Sequence, residues 1–194
     1  MINSENNCKW HFADFSGGRE DGPNEPMSEN FKKTPYASLI REAIQNSLDV
    51  CLDNSKPVEM NFRIKSIGTH DYPNFFKLSN QVEGCLNHFK NNPNAKAIYK
   101  PMLEYLISTS SLGKRMHYIQ VSDYNTKGMP YIQNDTDNAF YALVRAAGVS
   151  AKTDASAGGS FGYVKSDYFY LSKIRSNIVS TKTEDGKYFF EGVS

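Results

Sequence analysis

The chain has 194 residues, of which 22 are Lys or Arg and 21 are Asp or Glu, so its formal net charge is +1. This length suits one domain with its own core, and the near-neutral balance excludes a general attraction to nucleic acid or to an anionic membrane. With 3 widely spaced cysteines and no apolar run of ~20 residues, we expect a single cytoplasmic domain over residues 1–194 without a membrane partner.

The first third of the chain predicts a strand, a helix and a second strand. Residues 1–33 are polar, and their alternating aromatic cluster predicts one short strand: Trp10, Phe12 and Phe15. A helix is predicted from Pro35 to Asp53, with Thr34 at its N-cap, because proline suits the first helical turn. Five apolar residues with period two then predict a half-buried strand: Val58, Met60, Phe62, Ile64 and Ile67.

Helical spacing predicts two helices between Tyr72 and Leu112, separated by the breakers at 91–94. The remaining elements are predicted from periodicity and turn residues: a strand at 116–121, a helix at 137–147, a loop at 148–159, a helix at 161–173, and a hairpin of 177–183 with 187–191. Asp185 and Gly186 are the turn signal of this hairpin. This order predicts an α/β (α+β) fold, a two-layer sandwich with helices on one face of a mixed, mostly antiparallel sheet.

The first motif is a polar edge on the helix that begins at Pro35. Glu42, Asn46 and Asp49 follow one another at spacings of four and three, so they project from one narrow face. The other side is predicted to contain Ile40, Ala43, Ile44, Ser47, Val50 and Cys51. A solvated face is the common explanation of such a stripe. The alternative is a site in which Asn46 binds Mg²⁺ and Glu42 deprotonates a water that attacks a γ-phosphate.

The second motif follows the strand at 116–121 and runs from Asp123 to Met129. A carboxylate beside a glycine turn can accept a hydrogen bond from an exocyclic amine such as adenine N6, and Met129 offers an apolar wall to the base. An ordinary turn, for which Asp, Asn and Gly are the expected residues, explains the same pattern.

The third motif is a glycine loop at the start of a predicted helix: Gly158, Gly159, Ser160, Phe161, Gly162 and, further on, Lys165. Glycines let the backbone approach phosphates, a helix N-terminus presents free N–H groups, and the lysine adds a cation. The spacing differs from a Walker A loop, and a flexible connector with a helix cap remains the alternative.

In chain order the three motifs resemble the N box and the two glycine boxes of the GHKL superfamily, which includes DNA gyrase, the heat-shock chaperone ATPase, histidine kinases and MutL. The chaperone type is the most similar, because 177–182 and 188–191 also resemble its strand pair after the lid. The resemblance implies a Bergerat fold and an ATP-binding domain that uses Mg²⁺, with 71–112 as a helical insertion.

The resemblance also implies a role for each motif residue. Glu42 would be the general base of an ATP hydrolase and Asn46 the Mg²⁺ ligand. The remaining motif residues would bind the nucleotide: Asp49, Asp123, Asn125, Gly128, Met129, Gly158, Gly159, Ser160, Phe161, Gly162 and Lys165. Among these, Asp123 would read adenine and Gly158–Gly162 would form a lid over the phosphates.

The chain departs from the superfamily pattern in three places. Asn125 stands where many relatives have glycine, an extra residue precedes Gly128, and Val164 occupies a common glycine position. The sequence also stops at Ser194, before the later strand whose threonine helps to hold adenine. We therefore expect either an N-terminal fragment of a longer protein that lacks its C-terminal transducer domain, or an incomplete pocket. In both cases we expect ATP hydrolysis by this chain alone to be slow or undetectable.

Function hypotheses from different classes stay open. The first is a module that couples Mg-ATP binding and hydrolysis to conformational change, with a nucleotide-dependent homodimer as a possible assembly. The second is a regulatory or scaffold module with a degenerate pocket that does not hydrolyse ATP. Nucleic-acid binding is expected only through missing domains, because most of the aromatic residues have core periodicity.

Overall fold

The computed structural model describes residues 33–132, 138–144 and 168–193, with the backbone alone for Ala142. Its elements in chain order are α1 (Pro35–Asp49), β1 (Glu59–Gly68), α2 (Phe75–His88), α3 (Pro93–Thr109), β2 (Arg115–Tyr124), α4 (Ala139–Val144), β3 (Asn177–Lys182) and β4 (Tyr188–Val193). The predicted strand at 10–15 and the predicted loop at 148–159 lie outside the described residues.

The described elements are a mixture of helices and small sheets, which agrees with the predicted α+β class. β1 pairs with β2 and β3 pairs with β4, so the strands of the described ranges form two separate two-stranded sheets. The prediction of one larger sheet with helices on a single face is therefore not reproduced by these strands, and the Bergerat arrangement stays a prediction. Throughout 33–132, 138–144 and 168–193, each helix is too short or too polar to cross a membrane.

The chain divides into two compact units. The described part of the first unit is 65–118, which includes the predicted insertion 71–112, and the described part of the second unit comprises 33–64 and the residues from 119 onwards. The prediction of a single domain over 1–194 stays a prediction.

The first unit is built on the two helices that the apolar spacing predicts. The Asn92 side chain caps α3 by accepting hydrogen bonds from the N–H groups of Asn94 and Ala95, at 3.0 and 3.1 Å, and Pro93 occupies the first turn. The buried apolar residues of this unit are Tyr72, Phe75, Leu78, Val82, Ala95, Met102, Leu106 and Met116. Their burial confirms the predicted helix pair.

The hairpin of β3 and β4 confirms the turn predicted from Asp185 and Gly186. The strands are antiparallel, with Asn177 opposite Val193 and Lys182 opposite Tyr188. Gly186 has φ +80°, a left-handed conformation that favours glycine. The hairpin therefore forms for the local reason that its sequence suggests.

The start of α1 agrees with the prediction and its end does not. α1 ends at Asp49 rather than Asp53, because the Asp53 carboxylate accepts the N–H of Ser55 at 2.9 Å and so favours a turn. Hydrogen bonds from Ser55 and Lys56 also lower the pKa of Asp53. Thr34 holds the N-cap position, but its side chain makes no capping hydrogen bond.

The period-two pattern of β1 predicts its strand and part of its burial, because Val58, Met60 and Ile67 are half-buried as expected. Ile64 is 81% exposed and Phe62 is 38% exposed, whereas both were predicted on a half-buried face. Alternation decides which residues share a face of a strand, and only the neighbouring layers decide whether that face is covered.

Near the other end of the chain, the predicted helix 161–173 is described only from residue 168, and it is helical to residue 171.

The hairpin turn predicts a pH-dependent contribution to stability. The Lys187 ammonium lies 2.6 Å from Asp185 Oδ2 and the Thr183 hydroxyl donates to Asp185 Oδ1, and these contacts lower the pKa of Asp185 from 3.8 to about 2. A depressed folded-state pKa stabilises the protein fully above the unfolded value, and this stabilisation is lost as the pH falls through the folded value. The unfolding midpoint in urea of wild type should exceed that of Asp185→Asn at neutral pH.

This difference should shrink as the pH falls from 3.8 toward 2. Lys187→Gln removes the main cause of the lowered pKa and should weaken the pH dependence in the same window. A difference between wild type and Asp185→Asn that stays constant down to about pH 2 would contradict the assignment.

Candidate functional site

The first motif lies on α1, and the structure shows which side of that helix is inside. The buried residues are small ones and a leucine: Ser38, Leu39, Ala43 and Ser47. The large apolar residues Ile40 and Ile44, predicted on the apolar side, are exposed together with Tyr36 and Leu48. The predicted division is therefore right for Ala43 and Ser47, which are buried on the side opposite the polar stripe, and wrong for Ile40 and Ile44.

The polar motif residues lie at the edge of this buried row. Glu42 and Asn46 are half-buried, whereas Asp49 is exposed and accepts a hydrogen bond from Gln45 Nε2 at 2.8 Å. Ser38, Glu42 and Asn46 are four residues apart, so they form one row beside Leu39, Ala43 and Ser47. The bland explanation, a fully solvated stripe, therefore does not describe Glu42 and Asn46.

Two polar atoms of this row are buried without a partner. Among the described residues, Ser38 Oγ and Asn46 Oδ1 are inaccessible to solvent and make no hydrogen bond. Buried polar atoms in proteins are nearly always paired with protein, water or an ion, so each such atom requires an explanation. The row is therefore suited to bind a water molecule, which would donate hydrogen bonds to these oxygens, or a cation, which the oxygens would coordinate.

Asp123, the carboxylate of the second motif, is joined to α1. The Ser47 hydroxyl donates to Asp123 Oδ2 at 3.1 Å, across 76 residues of sequence. Ser47 directly follows Asn46, and Asp123 is exposed, so the carboxylate is accessible to a ligand beside the polar edge of the helix. This contact brings the first two predicted motifs together.

Asn125 binds the chain that follows α1. Its Nδ2 donates to the carbonyl oxygens of Asp53 and Lys56, both at 2.9 Å, and its Oδ1 accepts the N–H of Asp53 at 3.1 Å. The backbone oxygen of Asn125 also accepts the N–H of Leu52 at 2.9 Å. The predicted role of Asn125 in nucleotide binding stays a prediction, and in this structure its amide group is engaged by the turn at 53–56.

The backbone of Asn125 has a conformation that is more usual for glycine. Its φ is +60°, in the left-handed region that glycine adopts freely and asparagine tolerates better than most residues. The turn thereby keeps a glycine-like backbone and gains the side-chain hydrogen bonds to Asp53 and Lys56.

Gly128 and Met129 lie directly against β3. Gly128 has φ +71°, and a Cβ at this position would overlap the carbonyl oxygen of Lys182 and lie 3.1 Å from Thr181 Oγ1. The N–H of Met129 donates to Thr181 Oγ1 at 2.8 Å. Sequence reasoning missed both Ser47, which was predicted on the opposite side of the helix, and Thr181, whose strand pattern carries no signal of this contact.

The chain beyond Met129 is held by aromatic rings. The ring centroid of Tyr131 lies 5.9 Å from that of Phe140 and 5.8 Å from that of Phe189, and Phe140 lies 6.1 Å from Phe189. Such tilted and edge-on pairs stabilise beyond the area that they bury. The second motif is therefore tied to β4 and α4 as well as to β3.

The third motif cannot be compared with the structure, because Gly158, Gly159, Ser160, Phe161, Gly162 and Lys165 lie outside the described residues. A half-buried cation, Arg175, follows this motif. Its Nη1 donates to the carbonyl oxygen of Phe169 at 3.3 Å, its guanidinium lies 4.7 Å from the ring centroid of Tyr170, and burial lowers its pKa.

Two further observations concern the surface outside the three motifs and the side chains that could bind a metal ion. A surface depression of 330 Å³ lies in the first unit between Thr69 and Lys77, and it shares no residue with the three motifs. Within the part of the chain that the structure describes, no cluster of three or more His, Cys, Asp or Glu side chains could hold a metal ion. The predicted Mg²⁺ site therefore depends on Asn46 rather than on an acidic cluster.

Comparisons with protein-family models, with curated proteins and with solved structures each gave no match to this chain. The likeness to the GHKL superfamily consequently depends on the motif residues and on the contacts between them.

Replacing the two buried serines of α1 by alanine should have different effects on the free energy of unfolding. Ser47 is 6% exposed and donates to Asp123, whereas Ser38 is 5% exposed and its hydroxyl has no partner among the described residues. Ser47→Ala should lower the free energy of unfolding by about 1 kcal/mol, the usual worth of a hydrogen bond. Ser38→Ala should leave it unchanged or raise it, because no protein hydrogen bond is lost.

Urea denaturation of both variants measures the comparison. Equal destabilisation by the two substitutions would contradict the difference in partners. A large loss in Ser38→Ala alone would show that a bound water or ion stabilises the Ser38 hydroxyl.

The close approach of Gly128 to β3 predicts a second matched pair. Gly128 and Gly186 have similar positive φ values, +71° and +80°, but nothing lies within 4 Å of a Cβ on Gly186. Gly186→Ala should cost only the left-handed backbone, about 1 kcal/mol. Gly128→Ala adds a clash with the Lys182 carbonyl, so its unfolding free energy in urea should fall by at least about 2 kcal/mol more. Equal losses would contradict the contact.

Proposed function

We propose that this chain is an ATP-binding module of the GHKL type, with a Bergerat-type pocket nearest to that of the heat-shock chaperone ATPase. The observation that carries the proposal is the hydrogen bond from Ser47 to Asp123, 3.1 Å long. It supports a shared site, because it joins the helix of the first motif to the turn of the second. Each motif alone has an ordinary structural explanation, a solvated helix face for the first and a turn for the second. Neither explanation requires the two motifs to be in contact.

The base would be read by Asp123. One carboxylate oxygen of Asp123 accepts the Ser47 hydroxyl, and a carboxylate has further acceptor positions for the exocyclic amine of adenine. The backbone at Gly128 and the side chain of Met129 would form the wall beside the base. Their fixed position against β3 supports a preformed base pocket.

The residues of α1 fit a divalent cation and a water. Asn46 Oδ1 is a buried oxygen without a partner among the described residues, and an amide oxygen is a hard ligand of the kind that Mg²⁺ prefers. When bound, Mg²⁺ would neutralise charge on the phosphate oxygens. Glu42, half-buried one turn before Asn46, would orient and deprotonate the attacking water.

The phosphates would be covered by Gly158–Gly162 with Lys165 as a cation, as the resemblance implies. ATP binding and hydrolysis would then change the conformation of the module. The change would be transmitted to a C-terminal transducer domain or to a second copy of the chain.

Nucleotide binding to wild type and to Asp123→Asn tests the proposal. Titration calorimetry with ATP and Mg²⁺ should give binding to wild type, and Asp123→Asn should lower the affinity at least about 10-fold through the loss of a charged acceptor. The preference for ATP over GTP should shrink as well, because guanine presents an oxygen at the position of the adenine amine. Asp185→Asn removes the same charge from the hairpin turn and should bind as wild type does.

Glu42→Ala separates binding from hydrolysis. This variant should bind ATP like wild type, whereas any hydrolysis by the intact protein should be abolished. At about 100 times its dissociation constant, ATP should stabilise wild type by about 2.7 kcal/mol. No binding and no stabilisation would overturn the proposal in favour of a scaffold module, and binding without hydrolysis by the intact protein would favour a non-hydrolysing regulatory module.

A further inference from the structure

We propose that Thr181 is a positioning residue for base recognition, because its hydroxyl holds the Gly128–Met129 turn that would form the wall beside the base. The inference rests on the proposed nucleotide function and adds a residue from β3 that none of the three motifs includes.

The first support is the hydrogen bond at the turn. Thr181 Oγ1 accepts the N–H of Met129 at 2.8 Å. The side chain of Met129 departs from the same backbone unit, so its position depends on this contact. A backbone N–H left without an acceptor in a half-buried position is costly, which favours the bonded arrangement of the turn.

The second support is the lack of space between the turn and the strand. A Cβ on Gly128 would overlap the carbonyl oxygen of Lys182, so the backbone of the turn already lies in close contact with β3. Gly128 also has φ +71°, a conformation that few other residues adopt. The close approach at Gly128 therefore fixes the distance between the turn and β3, and the hydrogen bond to Thr181 fixes the orientation of the turn.

The third support is the register of the hairpin. Thr181 pairs with Phe189 across β3 and β4, and the Phe189 ring lies 5.8 Å from the ring of Tyr131. Tyr131 follows Met129 by two residues. The cross-strand pair therefore makes two contacts with this part of the chain. Thr181 accepts the hydrogen bond from Met129, and the ring of Phe189 contacts the ring of Tyr131.

The chemistry of threonine makes this role separable from packing. Valine has nearly the same shape but cannot accept the Met129 N–H, whereas serine keeps the hydroxyl and loses the methyl group. A residue that served packing alone would be replaced better by valine than by serine. For a residue that positions the turn through its hydroxyl, serine should be the better replacement and valine the worse one.

The test compares Thr181→Val, Thr181→Ser and the control Ser180→Ala in the full chain. Ser180 is the exposed neighbour of Thr181 on β3. Titration calorimetry with ATP and with GTP, in Mg²⁺, gives the affinities, and urea denaturation gives the stability of each variant. Thr181→Val should lower ATP affinity about 10-fold, the equivalent of one hydrogen bond, and reduce the preference for ATP over GTP. Thr181→Ser and Ser180→Ala should stay within about 2-fold of wild type.

The outcomes separate the inference from the proposed function. If wild type binds ATP and folded Thr181→Val binds it equally well, the positioning role is overturned and the ATP-binding proposal stands. Equal losses in the valine and serine variants would also overturn it, because packing would then explain both. If wild type does not bind ATP, the proposed function fails and the inference fails with it.

A measurement on wild type keeps the test decisive if Thr181→Val does not fold. Amide hydrogen exchange at Met129 should slow at least about 10-fold when ATP is added, since a ligand against this turn stabilises the bond to Thr181. An unchanged exchange rate at Met129 with bound ATP would overturn the inference.

Discussion

The segment from Asp123 to Met129, which contains the end of β2 and the turn after it, is fixed by contacts on two sides. Ser47 on α1 donates to Asp123 at its beginning, and Thr181 on β3 accepts the N–H of Met129 at its end. Between them, Asn125 binds the chain after α1, and Gly128 leaves no room for a side chain against β3. A short segment is thereby given a defined shape by distant parts of the sequence, which is the usual requirement for a binding site on a loop.

The helix beside this turn has an unusual distribution of residues. Its inward face is made of small side chains and a leucine, while large apolar residues such as Ile40 and Ile44 are exposed. The inward row also contains Ser38 Oγ and Asn46 Oδ1, which have no hydrogen-bond partner in the described part of the chain. Unsatisfied polar groups lower stability, and both of these oxygens lie beside Glu42 on the same helix.

Sequence reasoning succeeded where local chemistry decides the outcome. The hairpin formed as predicted because Asp-Gly favours its turn, and the helices of the first unit formed because apolar spacing and the Asn92 cap act within a few residues. The sequence also singled out the helix of the first motif and Asp123, which the structure joins through Ser47. Prediction failed for the burial of Ile64 and of Ile40, because periodicity separates two faces without saying which one is covered.

By itself, the sequence determined most of the helices and strands of the described ranges and their order, since these depend on spacing and on side-chain chemistry. Only the tertiary structure decided that Ser47 meets Asp123, that Asn125 binds the turn at 53–56, and that Thr181 holds Met129. The physical reason is that such contacts join residues tens of positions apart. Their partners are chosen by packing and by the pairing of backbone groups, which no local pattern encodes.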